Sequence, residues 1–193
     1  MRILGVIIAG GRSSRMGGIE KSLIDLAGRP LIAHIVERFR RQTDDVVINA
    51  NGNPSRFSGF GCEIIADGPG LTGTPMAGLN AALTYGDAHG FDAVVTTPSD
   101  TPFLPLDLVA RLQGEGAAIA QSGGQDHYLT GFWPTSLFPT LENAAATLKR
   151  MQDWVTVAGA RKVEWSTSPR DPFFNINTPD DLAQARQWIR RDA

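Results

Sequence analysis

The chain of 193 residues is 42% hydrophobic, carries a formal net charge of −2 and has one cysteine, Cys62. That length and apolar content suit one domain, residues 1–193, with a substantial core, and the near-neutral balance excludes extended contact with nucleic acid or an anionic membrane. A lone cysteine excludes an intrachain disulfide and a multi-cysteine zinc site; with no apolar stretch of membrane length and no A-x-A cleavage signal, a cytoplasmic enzyme is expected.

The first predicted element is an apolar strand over residues 3–9. It empties into Gly10-Gly11-Arg12-Ser13-Ser14-Arg15-Met16-Gly17-Gly18, and Lys21 follows. Such a loop lets backbone N–H groups approach phosphate oxygens, while Arg12, Arg15 and Lys21 add cationic donors. The spacings Gly-x-Gly-x-x-Gly and Gly-x-x-x-x-Gly-Lys-Ser/Thr are both absent, which lowers dinucleotide dehydrogenases and P-loop hydrolases in rank. A plain turn using glycine for positive φ accounts for the loop equally well.

Further strands are predicted over residues 45–50, 63–66, 93–97, 117–120, 127–133 and 162–165. Between them, Leu31, Ile35, Val36 and Phe39 form one helix face opened at Pro30; Leu79, Ala82 and Leu83 mark a second helix, and Pro105, Leu108, Val109 and Leu112 a third. Thr178-Pro179-Asp180-Asp181 reads as an N-cap with proline at the first helical position, starting a helix through Leu182, Ala185 and Ile189. The alternation predicts an α/β fold: a Rossmann-like three-layer αβα arrangement with a mostly parallel central sheet and helices on both faces.

In such a sheet ligands bind beyond the carboxyl ends of the strands, near the reversal of strand order. Asn49-Ala50-Asn51, Asp67-Gly68-Pro69-Gly70 and Pro98-Ser99-Asp100-Thr101-Pro102 follow the second, third and fourth strands, so they join the glycine loop on one rim. Asn49 could simply end its strand, and Asp67 and Asp100 could be turn formers. Asp100 follows a strongly apolar strand, and a hard oxygen ligand there suits Mg²⁺, which takes one or two carboxylates together with substrate phosphates. Asp67 could accept the amide and amino edge of guanine or close a turn. His34 fits helix packing, and His89 beside Gly90 fits a helix end. The four tryptophans are too dispersed for a nucleic-acid stacking platform and read as core or surface anchors.

These blocks together resemble a known family. Ile8-Ala9-Gly10-Gly11, Ser14-Arg15-Met16-Gly17-Gly18-x-Glu20-Lys21, Gly28-x-Pro30-Leu31, Asn49-Ala50-Asn51, Pro75-Met76-Ala77-Gly78, Asp100-Thr101-Pro102-Phe103 and Asn175-Ile176-Asn177-Thr178-Pro179 occur in the order found in the molybdenum cofactor guanylyltransferase family of the nucleotidyltransferase superfamily. The resemblance implies transfer of GMP from GTP to molybdopterin, with Mg²⁺ as cofactor and pyrophosphate as the second product. It implies that Ile8, Ala9, Gly10 and Gly11 contact the nucleotide, that Lys21 and Arg15 neutralise the triphosphate, that Asn49 and Asp67 bind the nucleoside, and that Asp100 holds the metal. Asn175, Asn177 and His127 would lie on the pterin side, and molybdoenzymes or their chaperones are candidate recipients of the product. Departures from the family pattern are Glu20 for aspartate, Thr74 for glycine, and His127-Tyr128 for His-Pro.

Rival readings share the architecture or only the ligand. A cytidylyltransferase acting on the same pterin, or another small-molecule nucleotidyltransferase, uses the same fold. The Ala9-Gly10-Gly11 sequence resembles the guanylyl branch, whereas the cytidylyl branch tends toward Ala-Ala-Gly. A non-catalytic GTP-binding module would have no need of Lys21 and Asp100 together.

Overall fold

Each face of the first strand, β1 (Ile3–Ile8), is apolar, because side chains alternate along a strand and every residue here is buried. Such a strand needs cover on both sides. The computed structural model describes residues 1–9, 20–68, 73–145, 148 and 150–192, and shows that cover. After β1 come a two-strand hairpin, β2 (Asp25–Leu26) and β3 (Arg29–Pro30), then α1 (Leu31–Arg40), β4 (Asp45–Asn49), a 3₁₀ segment Pro54–Phe60, and β5 (Glu63–Ile65). The chain continues through α2 (Pro75–Ala88), β6 (Ala93–Pro98), α3 (Leu108–Leu112), β7 (Ala118–Ser122), β8 (Gln125–Pro134), α4 (Phe138–Ala145), α5 (Met151–Val157), β9 (Arg161–Trp165) and α6 (Pro179–Asp192).

Seven strands form one sheet in the order β5-β4-β1-β6-β8-β7-β9. The pairs β4–β1, β1–β6, β5–β4 and β7–β9 are parallel, and β8 runs antiparallel to both β6 and β7. Its reversal follows from Gly123 and Gly124, whose φ values of 53° and 76° make the two-residue turn that matches strand twist. Ile3 and Ile7 share a core with Ile32, Ile35, Val36 and Phe39 of α1 and Leu108, Val109 and Leu112 of α3. Leu4, Val6 and Ile8 face the other way, onto Met76, Leu79, Ala82 and Leu83 of α2 and Met151 and Trp154 of α5. The expected three layers are therefore present, with one antiparallel strand in a mostly parallel sheet.

Several local expectations change. Pro30 occupies the position before α1 rather than its first turn. Helices α4 and α5 occupy segments without a readable helical period; each is short, and α5 buries only Met151, Trp154 and Val155. Trp133, Trp154 and Trp165 are core residues. Cys62 is half-buried rather than buried, with burial raising its thiol pKa against the nearby Arg40. His34 is half-buried and bonds the Leu26 carbonyl through Nε2 at 3.0 Å. His89 caps the end of α2, with Nδ1 2.8 Å from the Tyr85 carbonyl. Thr178 caps α6: its hydroxyl accepts from Asp181 N at 3.1 Å, while Asp181 accepts from Thr178 N at 2.8 Å. Among the described residues no helix is long and apolar enough to cross a membrane.

Candidate active site

The strand ends meet at one level because the register pairs Ile8 with both Asn49 and Pro98, and Asn49 with Ile65. From β1 the chain winds outward through α1 to β4 on one side and, by way of α2, to β6 on the other. The two helices lie on opposite faces, so the crevice above β1 is the reversal point at which open α/β sheets bind ligands.

Asp100 stands two residues beyond β6 in a turn fixed from below. The Thr101 hydroxyl donates to the Pro98 carbonyl at 3.1 Å and lies 3.2 Å from that of Thr97, while Ser99 N donates to the Ile8 carbonyl at 3.2 Å. Lys21 arrives from the first strand's side, on the 3₁₀ turn Lys21–Leu23, and its Nζ lies 2.5 Å from Asp100 Oδ2. The same ammonium donates to Asn177 Oδ1 at 2.5 Å. Asn177 is held there because Ile176 N donates to the Asp100 carbonyl at 3.0 Å and Asn177 N to Asp181 Oδ2 at 2.9 Å. Three residues from separate parts of the chain thus converge on one charge. Asp100 Oδ1 is buried and has no hydrogen-bond partner among the described residues, which leaves an acceptor in need of a donor or a cation.

Asn49 and Asp67 meet on the neighbouring strand ends. Asp67 accepts from Asn49 Nδ2 at 3.0 Å, from Asn51 Nδ2 at 2.7 Å and from Gly73 N at 2.9 Å, so its carboxylate also holds Gly73, two residues before α2. Thr74 caps that helix, its hydroxyl accepting from Ala77 N at 3.1 Å, a competent replacement for glycine at this position. Ile8 and Ala9 are buried, and Ala9 N donates to the Asn49 carbonyl at 2.8 Å. Arg56 joins the assembly at its edge, bonding the Asn51 carbonyl at 2.7 Å and pairing with Glu20 at 3.1 Å. Gly10, Gly11, Arg12 and Arg15 lie outside the described residues.

The expected pterin-side residues divide. Asn177 touches Lys21; Asn175 is exposed two residues away. His127 lies farther along the sheet, at the β7–β8 end, and is tied to Ser122 rather than to Lys21 or Asp100. Ser122 Oγ is 2.7 Å from His127 Nε2 and donates to Asp171 Oδ1 at 2.8 Å, and the imidazole packs on Phe173 at 4.7 Å between ring centres. Burial lowers the His127 pKa against the pull of Asp171, Asp126 and Glu164. Sequence reading missed Ser122, Asp171 and Arg56. The Gly123-Gly124 turn could have paired Ser122 with His127, but nothing local links Asp171 to either.

Among the described residues no group of three His, Cys, Asp or Glu side chains could hold a metal by itself. The described part of the rim instead offers the Lys21 ammonium with Arg56 at its edge, the incompletely paired Asp100 carboxylate and several amides, a set suited to a polyphosphate that brings ligands of its own.

Comparison with known proteins agrees with this geometry. The family model described as a MobA-like NTP transferase domain matches residues 5–163. A molybdenum cofactor guanylyltransferase of Rhodobacter capsulatus is 44% identical over 194 residues, covering 100% of both chains. Another, from Rhodopseudomonas palustris (strain BisB5), is 40% identical and covers 97% of this chain and 94% of its own. The crystal structure of molybdopterin-guanine dinucleotide biosynthesis protein A from Archaeoglobus fulgidus shares the fold, with a TM-score of 0.75 at 24% identity over 98% of this chain and 99% of that one. Identity at this level along the entire length shows that the chain belongs to the molybdenum cofactor guanylyltransferase family, within the MobA-like NTP transferases.

Proposed function

We propose that this chain, as a single nucleotidyltransferase domain, transfers GMP from GTP to molybdopterin, releasing pyrophosphate and forming molybdopterin guanine dinucleotide. The observation that carries the reading is Lys21 set against Asp100 at the strand-order reversal, with Asp100 Oδ1 buried and unpaired among the described residues. The relatives named above support the choice of GTP and molybdopterin.

A phosphate oxygen of molybdopterin attacks the α-phosphorus of GTP in line with the departing pyrophosphate. A phosphate monoester is already largely ionised near neutral pH, so the protein supplies position and charge rather than a strong base. Lys21 has three N–H donors and, among the described residues, directs two at Asp100 and Asn177, so the third is available for a phosphate oxygen. Arg15 adds a second cation from the glycine loop. Ile8, Ala9, Gly10 and Gly11 offer backbone groups to the nucleotide, and Asn49 and Asp67 bind the nucleoside. Asn175, Asn177 and His127 border the second substrate.

The unpaired buried oxygen of Asp100 fits Mg²⁺, which accepts a single protein carboxylate when phosphates and water complete its shell. Asp100 would hold the ion, which when bound supplies charge neutralisation at the triphosphate. The reaction is assigned to the cytoplasm, where the Cys62 thiol would stay reduced.

The test mixes purified protein with molybdopterin, Mg²⁺ and each nucleoside triphosphate in turn and measures pyrophosphate release. Release with GTP alone is expected. Equal release with CTP would overturn the guanine assignment, and silence with every nucleotide would indicate a binding module.

A further inference from the structure

Ser122 is almost completely buried at the end of β7, in contact with two polar partners. A serine hydroxyl has one proton, and a carboxylate only accepts. The proton of Ser122 is directed at Asp171 Oδ1, so its oxygen must accept from His127, and His127 Nε2 carries a hydrogen. In a neutral imidazole the other nitrogen, Nδ1, is then a bare acceptor. It has no hydrogen-bond partner among the described residues, and the His127 side chain is half-buried rather than sealed in the core.

Asp171 is itself fixed, accepting from Phe173 N at 2.9 Å, and Phe173 supports the His127 ring from one side and meets Trp165 edge-on at 5.3 Å from the other. The irregular segment that follows Asp171 in sequence leads to the reaction centre, since Ile176 N bonds the Asp100 carbonyl and Asn177 bonds Lys21. One short segment thus connects the imidazole to the Lys21–Asp100 pair.

We propose that Ser122 and Asp171 are positioning residues that lock His127 as the Nε2–H tautomer, so that Nδ1 accepts an N–H from the donor-bearing edge of the second substrate. The proposal rests on the reading of that substrate as a pterin, whose pyrimidine ring carries an N–H and an exocyclic amine. Burial, which keeps His127 neutral against the attraction of Asp171, Asp126 and Glu164, supports the same assignment. A serine hydroxyl alone could donate or accept and would tolerate either tautomer. The Asp171 carboxylate removes that freedom.

Nitrogen-15 NMR of histidine-labelled full-length protein at pH 7.5 reads the tautomer without any substrate. The wild type should show the proton on Nε2, and Ser122→Ala should show a mixture. In steady-state assays with saturating GTP, Ser122→Ala and His127→Gln should each raise KM for molybdopterin about tenfold, the scale of one lost hydrogen bond, while KM for GTP stays within about twofold of wild type. His127→Asn, which returns an acceptor close to the Nδ1 position, should recover part of the loss. A proton on Nδ1 in the wild type would overturn the proposal, as would unchanged molybdopterin KM in both Ser122→Ala and His127→Gln. Wild-type protein that releases no pyrophosphate with GTP and molybdopterin would overturn the transfer reading and the ligand together, while the tautomer would still decide the Ser122–Asp171 device on its own.

Discussion

Lys21 and Asp100 are each less than one-fifth exposed, at 15% and 18%, so removing one leaves the other poorly solvated. The two losses should differ. In Asp100→Ala the lysine keeps Asn177 and can extend its long stem toward water, whereas in Lys21→Ala the short Asp100 side chain stays pinned by its turn with neither oxygen paired. Lys21→Ala should therefore lower stability by about 1–3 kcal/mol and by more than Asp100→Ala, read as the shift in urea midpoint. Turnover should fall by about 10²–10³ in Asp100→Ala, the range for losing one electrostatic partner of the transition state. Near-normal turnover in a folded Asp100→Ala protein would remove Asp100 from the metal and phosphate machinery. These two residues were legible because a lysine after a glycine loop and an aspartate after an apolar strand carry the chemistry in their local context. Asn177 as a partner of Lys21 was not, since a bond spanning 156 residues leaves no trace in either neighbourhood. Asp67 was ambiguous in sequence for a physical reason: one carboxylate there receives both strand-end amides and a turn N–H.

At the scale of elements, the fold depends on how closely α2 approaches β1 and β4. A Cβ at Gly78 would lie 2.8 Å from Asn49 Oδ1 and 2.8 Å from Ile8 Cγ2. Alanine would favour the helix by about 1 kcal/mol, but both neighbours are buried in adjacent central strands and have no room to yield. Overpacking, at about 1–3 kcal/mol, should win. Gly78→Ala is therefore expected to lower Tm and to raise KM for GTP through displacement of Asn49, with KM for molybdopterin less affected. A rise in Tm would mean that α2 can slide outward, and that the contact does not set the position of Asn49. The parallel strands were legible because strands buried on both faces are continuous apolar runs. The direction of β8 was not inferred, although Gly123-Gly124 announces a tight reversal. Helices α4 and α5 escaped because a helix of seven or eight residues gives its apolar period too few repeats to stand out.

For the whole molecule, two imidazoles packed into separate regions link folding to pH. His34 lies against the β2–β3 hairpin and His127 at the opposite, β7–β8 end of the sheet. Burial is the largest influence on both and lowers both pKa values, for His34 against the pull of the Leu26 carbonyl and for His127 against that of nearby carboxylates. A lowered folded-state pKa means that the unfolded chain takes up protons first as pH falls. The stability associated with each imidazole is thus fully present above the ordinary histidine value of 6.5 and is lost as pH drops through the lower folded value. The carboxylates lie in a separate window. Asp126 is held below its ordinary 3.8 by the hydrogen bond from Lys162, and in Asp181 desolvation is outweighed by bonds from Asn177 and Thr178, so their contributions disappear only in stronger acid. Thermal stability should therefore fall in two stages, the first between about pH 7 and 5 from the histidines and the second below about pH 4 from the carboxylates. Combining His34→Gln with His127→Gln should flatten the first stage and leave the second in place, as read from Tm across a pH series. If the double variant keeps the full slope between pH 7 and 5, these two histidines are not its source, and the proton uptake on unfolding must come from other groups of the chain.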